Sequence, residues 1–180
     1  NMLYPGAGVG GHCIPKDPWL LIANVDDKFT PSVIPAARHI NRSMPEHIVN
    51  LLIEALSVVG KSPQDARIAV LGYAYLENSD DTRDTPSQAL LDHLDTHNIT
   101  YCVHDPFVET YQVDFETCLA GCDAAVIMVA HDLYHQADWA QVISQLETPI
   151  IIDGRHVLPD DFHVSGAVIR VLGRGVNGAN

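Results

Sequence analysis

In Pro5-Gly-Ala-Gly-Val-Gly-Gly-His-Cys-Ile-Pro-Lys-Asp-Pro18, one cysteine follows a run of glycines and precedes an apolar stretch. Gly6, Gly8, Gly10 and Gly11 let the backbone approach a ligand closely, so its amides can point at an anion or an oxyanion. Asp17-Pro18 reads as the N-cap and first residue of a helix that continues through Trp19-Leu-Leu-Ile-Ala23. A sulfur near a helix start, with Lys16 close in sequence, occupies the kind of place where cysteine nucleophiles are found, and Cys13 is the candidate nucleophile. Spacing alone equally allows a buried structural thiol, because free cysteine is among the most buried residue types. His12 could assist as a base, but neighbouring side chains in a loop usually point apart, so a cysteine hydrolase is the weaker reading.

Gly6-x-Gly8-x-x-Gly11 matches the dinucleotide fingerprint literally. That fingerprint needs a strand before it, a helix after it and an acidic residue about 20 positions on. With Pro5 ahead and Cys13-Ile-Pro15 behind, no helix is expected to open at the last glycine, and the loop is not read as a cofactor loop.

Cations are scarce, 10 lysines and arginines against 23 carboxylates, so Arg83 and Arg155 stand out. Each could clamp a phosphate or carboxylate in a bidentate fashion, or pair with the aspartates beside it. Asp80 and Asp81 read as loop carboxylates or ion-pair partners, because no further ligands are spaced to complete a metal site. Asp105 follows a strand where some dinucleotide-binding domains hold a ribose, yet Gly72-Tyr-Ala-Tyr lacks the accompanying glycines. His93/His97 and His131/His135 have i, i+4 spacing without the intervening glutamate or a third ligand of a zinc site, so no metal is expected.

The elements that must position these groups fall into two stretches. From Thr30 to about Val59 the apolar residues Ile48, Leu51, Leu52, Ala55, Leu56 and Val59 follow a helical stripe, with Ser43 and Glu46 as a possible capping box. Pro35 and Pro45 predict kinks or separate helices, and Gly60-Lys-Ser-Pro63 a stop. Beyond it the short apolar runs at 67–72, 99–103, 124–129, 149–152 and 167–171 alternate with helical segments at 86–97, 115–120 and 138–146. Such alternation means βαβ units and a parallel sheet, hence a doubly wound domain from about Ala66 onward. Ligands bind beyond the carboxyl ends of such strands, which selects the loops Tyr73–Asp84, His104–Pro106 and Asp153–His156.

A length of 180 residues allows one domain with a substantial core or a small domain and part of another. The chain begins at Asn1 and meets its glycine motif almost at once, which reads as a piece of a longer protein. A net charge of −13 argues against nucleic acid or an anionic membrane surface as partner. Cys13, Cys102, Cys118 and Cys122 form no C-x-x-C pair, and no secretory signal precedes them, so they read as reduced cytoplasmic thiols.

Gly10-Gly-His-Cys-Ile-Pro-Lys-Asp-Pro18, Gly72-Tyr-Ala-Tyr-Leu-Glu-Asn-Ser-Asp-Asp-Thr-Arg83 and Asp153-Gly-Arg155 together resemble the UDP-glucose/GDP-mannose dehydrogenase family, and within it the UDP-N-acetylmannosamine branch. The three motifs stand in family order and span nearly the whole chain. The resemblance implies an α/β fold, a Rossmann-like parallel-sheet domain preceded by a helical segment from a central dimerisation domain. Residues 1–63 would belong to that central domain and 64–180 to a C-terminal UDP-sugar-binding domain, with the NAD-binding domain outside the chain. It also implies oxidation of the C6 alcohol of a UDP-sugar to the acid, by two hydride transfers to NAD through a cysteine thiohemiacetal and thioester. Cys13 and Asp17 would be catalytic, Tyr4, Gly10, Tyr75 and Arg155 would hold the substrate, and Lys16 and Arg83 would face the cofactor. Leu76 departs from the pattern, because many members carry a lysine there that helps hold the substrate. Ala37-Arg-His-Ile-Asn41 resembles the family's dimerisation helix and implies a homodimer. A UDP-sugar-binding module without turnover, and a UDP-glucose or UDP-N-acetylglucosamine 6-dehydrogenase, remain alternatives.

Overall fold

The computed structural model describes residues 6–23 and 30–174; Tyr4 lies outside them. Five strands, β1 (Arg67–Leu71), β2 (Thr100–His104), β3 (Ala124–Ile127), β4 (Ile150–Asp153) and β5 (Val168–Val171), form one sheet in the order β2-β1-β3-β4-β5. Every pairing is parallel. β3 and β4 are buried along their whole length, as their unbroken apolar sequences require of strands covered on both faces. The register sets Leu71 beside His104 and Ile127, and Ile127 beside Asp153, so four carboxyl ends share one rim.

Two helical layers cover the sheet. On one face α2 (Val33–Val58) and α3 (Pro86–Thr96) bring Ile48, Leu52, Leu56, Leu90 and Leu94 against Ile68, Val70, Val126 and Ile152. On the other, α4 (Phe115–Leu119), α5 (Asp132–Gln136) and α6 (Trp139–Gln145) pack Leu119, Tyr134, Trp139 and Ile143 on Leu71, Ile127 and Ile151. Thr85 caps α3 by accepting from the Ser87 amide, with Pro86 at the first helical position. Asp138 caps α6 in the same manner. Val59 and Gly60 (φ +73°) close α2 by a Schellman motif, in which the Lys61 and Gly60 amides donate back to Leu56 and Ser57.

Three local expectations are corrected. The first helix, α1, spans Cys13–Ile22, so it opens two residues after Gly11, with Asp17 inside it rather than at its cap. Pro15 falls in the first turn, where an amide needs no helical partner, and Pro18 is carried in the interior. Of the kinks or separate helices that Pro35 and Pro45 predict, separate helices are not found: α2 is one helix of 26 residues, with Pro35 in its first turn and Pro45 buried within it. Ser43 makes no capping box; its hydroxyl donates to the Ile40 carbonyl one turn back.

A candidate ligand site on two sides of the cysteine loop

Three anchors hold the glycine loop against the sheet rim. The Ala7 amide donates to the Gly154 carbonyl (3.1 Å) and the Gly11 amide to the Arg83 carbonyl (2.8 Å). The Val9 amide donates to Asn41 Oδ1 (3.4 Å), an oxygen that also accepts from Nη1 of buried Arg38 at 3.2 Å. Asn41 thereby joins α2 to the loop. The approach is too close for side chains: a Cβ on Gly10 would stand 2.5 Å from the Asp84 carbonyl oxygen and 2.7 Å from Tyr75 Cβ. Cys13, exposed, is the first residue of α1. Asp17 is one turn further on the same helix face, 3.8 Å from Lys16 Nζ through Oδ1. The His12 ring is engaged by Lys16, with Nζ 3.1 Å from Nε2.

On one side of the loop lies a cleft of about 690 Å³. Gly10, Tyr75 and Arg155, three of the residues singled out as substrate-binding, line it together with Ile14, Leu76 and Glu77. Arg155 is half-buried; burial pushes its pKa down while Glu77 opposes the change. Its guanidinium fills the space a side chain on Gly6 would need, 2.6 Å from the Cβ position. Asp153 holds the Arg155 turn through the Arg155 and Leu158 amides, each at 2.9 Å.

On the other side lies a cleft of about 480 Å³, lined by Gly11, His12, Pro15, Lys16, Trp19, Arg42, Arg83 and one carboxylate, Asp84. Lys16 and Arg83, both expected to face the cofactor, therefore share one cavity, and Arg42, which the sequence did not single out, joins them. Arg42 also covers the Trp19 ring, with its guanidinium carbon 6.0 Å from the centroid. Arg83 is paired with Asp81, its Nε 2.9 and 3.1 Å from the two carboxylate oxygens. That pairing holds the Asp81 pKa down at about 2 and raises that of Arg83.

Of the three loops selected from the strand ends, those after β1 and β4 reach the first cleft. The loop after β2 does not: Asp105 is fully buried and accepts the amides of Tyr73, Ala74, Phe107 and Val108, so it cannot hold a ribose. The segment after β3 takes its place, supplying Ala130 and His135. In the order β2-β1-β3 the direction of winding reverses between β1 and β3, and a cleft at that switch point needs both of their loops. His156 also lines the cleft, with φ +56°. Among the described residues no group of three or more His, Cys, Asp or Glu could hold a metal ion.

An all-parallel sheet in this order, with a cleft at its switch point, defines a ligand-binding α/β protein of the doubly wound class. The chain belongs to the UDP-glucose/GDP-mannose dehydrogenase family: the UDP binding domain of that family matches residues 69–160 and its central domain residues 1–43. It is 37% identical over 171 residues to the UDP-N-acetyl-D-mannosamine dehydrogenase of Pyrococcus horikoshii, covering 95% of this chain and 40% of that protein. The UDP-glucose 6-dehydrogenase of Pseudomonas aeruginosa is 26% identical over 97% of this chain and 42% of its own length. Among solved structures, the Pyrococcus horikoshii UDP-D-ManNAc dehydrogenase superposes with a TM-score of 0.89 (36% identity, 97% of this chain, 41% of that one). An NDP-N-acetyl-D-galactosaminuronic acid dehydrogenase from Methanosarcina mazei superposes with 0.87 (34% identity, 96% and 40%). The chain thus spans about two fifths of the length of these relatives.

Proposed function

We propose that this chain is the substrate-binding, cysteine-bearing part of an NAD-dependent UDP-sugar 6-dehydrogenase, with UDP-N-acetylmannosamine as the sugar nucleotide. One observation carries the reading: the glycine loop just ahead of Cys13 walls two clefts, with Gly8, Val9 and Gly10 in the one that holds Arg155 and Gly11 and His12 in the one that holds Lys16, Arg42 and Arg83. A nucleotide-sugar diphosphate suits the first, where a half-buried arginine meets an apolar floor. The pyrophosphate of NAD suits the second, where three cations of an otherwise acidic chain gather. Residues 1–63 serve as part of the central dimerisation domain and 64–180 as the UDP-sugar domain. The working enzyme is a cytoplasmic homodimer joined through the central helices.

Two NAD molecules, bound in turn, would each accept one hydride. The residues of this chain do the rest. The C6 alcohol loses a hydride and a proton to become an aldehyde, and the Cys13 sulfur adds to its carbonyl carbon, forming a C–S bond while the C=O π bond opens and its oxygen takes up the thiol proton. Loss of a second hydride from C6 and of the hydroxyl proton leaves a thioester. Water then cleaves the C–S bond, releasing the carboxylate and returning the thiol. Asp17, one turn from Cys13 on the same face, supports that water. Tyr75 and Gly10 shape the wall against which the sugar lies, and Tyr4 is a further substrate-binding residue.

In an enzyme of full family length, Cys13→Ser removes acid production and leaves UDP-sugar binding within about twofold of wild type. Unchanged acid production would overturn the mechanism.

A further inference from the structure

Beneath the loop that follows β1 lies a completely buried pair, His131 and Asp105. His131 Nε2 is 3.1 Å from Asp105 Oδ2, and His131 Nδ1 is 2.9 Å from the backbone nitrogen of Asn78. A backbone amide can only donate, so Nδ1 offers its lone pair to Asn78 and the ring proton sits on Nε2, facing the carboxylate. The same Oδ2 accepts the amides of Tyr73 (2.7 Å) and Ala74 (2.9 Å). Asn78, at φ +53°, returns the contact through Oδ1, which accepts the Asp132 amide at 3.0 Å. The Phe107 ring lies against the imidazole, with centroids 5.1 Å apart.

The loop is therefore held from below at residues 73–74 and again at 78. The three residues between, Tyr75, Leu76 and Glu77, all line the cleft, and Tyr75 in turn packs on Gly10 and Gly11. We propose that His131 is a positioning residue: by bridging Asp105 to the Asn78 amide it fixes Tyr75–Glu77, and with them the shape of the ligand cleft and the seat of the cysteine loop. A histidine that merely filled core space would not need both ring nitrogens aimed at opposite ends of one cleft-lining turn. That the cleft takes a uridine diphosphate rests on the reading given above.

Two near-isosteric substitutions separate the links. In His131→Gln the amide can still donate to Asp105 but cannot reach Asn78; in His131→Asn the carbonyl can still accept from Asn78. For the 180-residue chain, amide exchange and UDP titration are measured on both variants. We expect His131→Gln to raise exchange at Leu76, Glu77 and Asn78 at least tenfold, to weaken UDP about tenfold, and to leave β1 and β3 amides protected. His131→Asn, which keeps the Asn78 link and gives up the Asp105 one, should loosen the other end of the turn instead, raising exchange at Tyr73 and Ala74 more than at Leu76, Glu77 and Asn78. Wild-type loop exchange and affinity in His131→Gln would overturn the proposal, as would equal losses in both variants spread over the strands. If the buried substitutions unfold the chain, amide exchange of the wild-type chain tests the same link: an Asn78 amide as protected as those of Tyr73 and Ala74 supports the proposal, and an Asn78 amide that exchanges as freely as those of Leu76 and Glu77 overturns it. Exchange is read without ligand, so failure of the wild-type chain to bind UDP would count against the functional reading alone.

Discussion

The Gly11 amide nitrogen lies 2.8 Å from the carbonyl oxygen of Arg83, tying the turn ahead of Cys13 to the end of the loop after β1. A residue expected to face the cofactor thus braces, through its backbone, the loop that leads into Cys13.

That bracing depends on absent side chains. Gly10→Ala drives a Cβ into the Asp84 carbonyl and should cost about 1–3 kcal/mol of stability, with UDP affinity falling alongside. Gly60→Ala meets no atom within 4 Å but must hold φ +73°, so it should cost about 1–2 kcal/mol and leave UDP binding unchanged. Urea unfolding and calorimetry on the two variants measure both effects.

The two clefts predict a crossed result. In an enzyme of full family length, Arg155→Ala should raise the KM for the UDP-sugar by about 1–3 kcal/mol equivalent, the scale of a charged hydrogen bond, with a small effect on NAD. Arg83→Ala or Arg42→Ala should do the reverse. Initial-rate kinetics with each substrate varied in turn decide the matter, and equal effects on both KM values would remove the assignment.

α2 shares a core with the sheet, so removing its inner face should unfold the domain rather than loosen an appendage. Leu52 is fully buried among strand and helix residues, and Leu52→Ala should cost about 2–5 kcal/mol in a single cooperative transition. A second, separate transition for α2 would contradict that packing.

Acid should act in two stages. Burial pushes the His104 pKa below its ordinary 6.5, with Asp105 opposing. The unfolded chain therefore takes up a proton that the folded one refuses, and stability falls as pH drops below about 6.5, by at most about 1.4 kcal/mol per pH unit. Burial pushes Asp105 up, but the His131 bond and the backbone amides outweigh it and hold its pKa well below the usual range. The stability this provides is present above the ordinary carboxylate pKa of 3.8 and is lost progressively below it. Urea midpoints between pH 8 and 3 test this, and His104→Asn should flatten the upper stage alone.

Much of the fold was legible because local rules and global demands agree at particular residues. Thr85 caps α3 where its position before Pro86 indicates, the segment expected as a helix from Asp138 is one with Asp138 as its cap, and the apolar runs at β3 and β4 have the length and purity that two-sided burial requires. The prolines misled. Pro15 and Pro18 look like a barrier to a helix at Cys13, and Pro45 to a continuous α2, because sequence does not show that tertiary packing compensates the lost amide. In the site, Gly10, Tyr75 and Arg155 were grouped by motif and do meet in one cleft, whereas Ala130 and His135 were missed, since strand order decides which loops flank the switch point. Asp105 was read by its place after a strand, but its burial and four backbone amides give it a supporting task instead.

The wholly parallel sheet also bears on how the chain reaches its native state. No two neighbouring strands are joined by a tight turn: Ile68 must find both Tyr101 and Ala124 across long intervening segments before either ladder exists. Among the described residues there is no hairpin from which pairing can zip, so loop-closure entropy has to be met in advance and refolding belongs in the millisecond-to-second range. Until then the isoleucine-rich β4 stays unsheltered, and dilute refolding conditions should give the better yield.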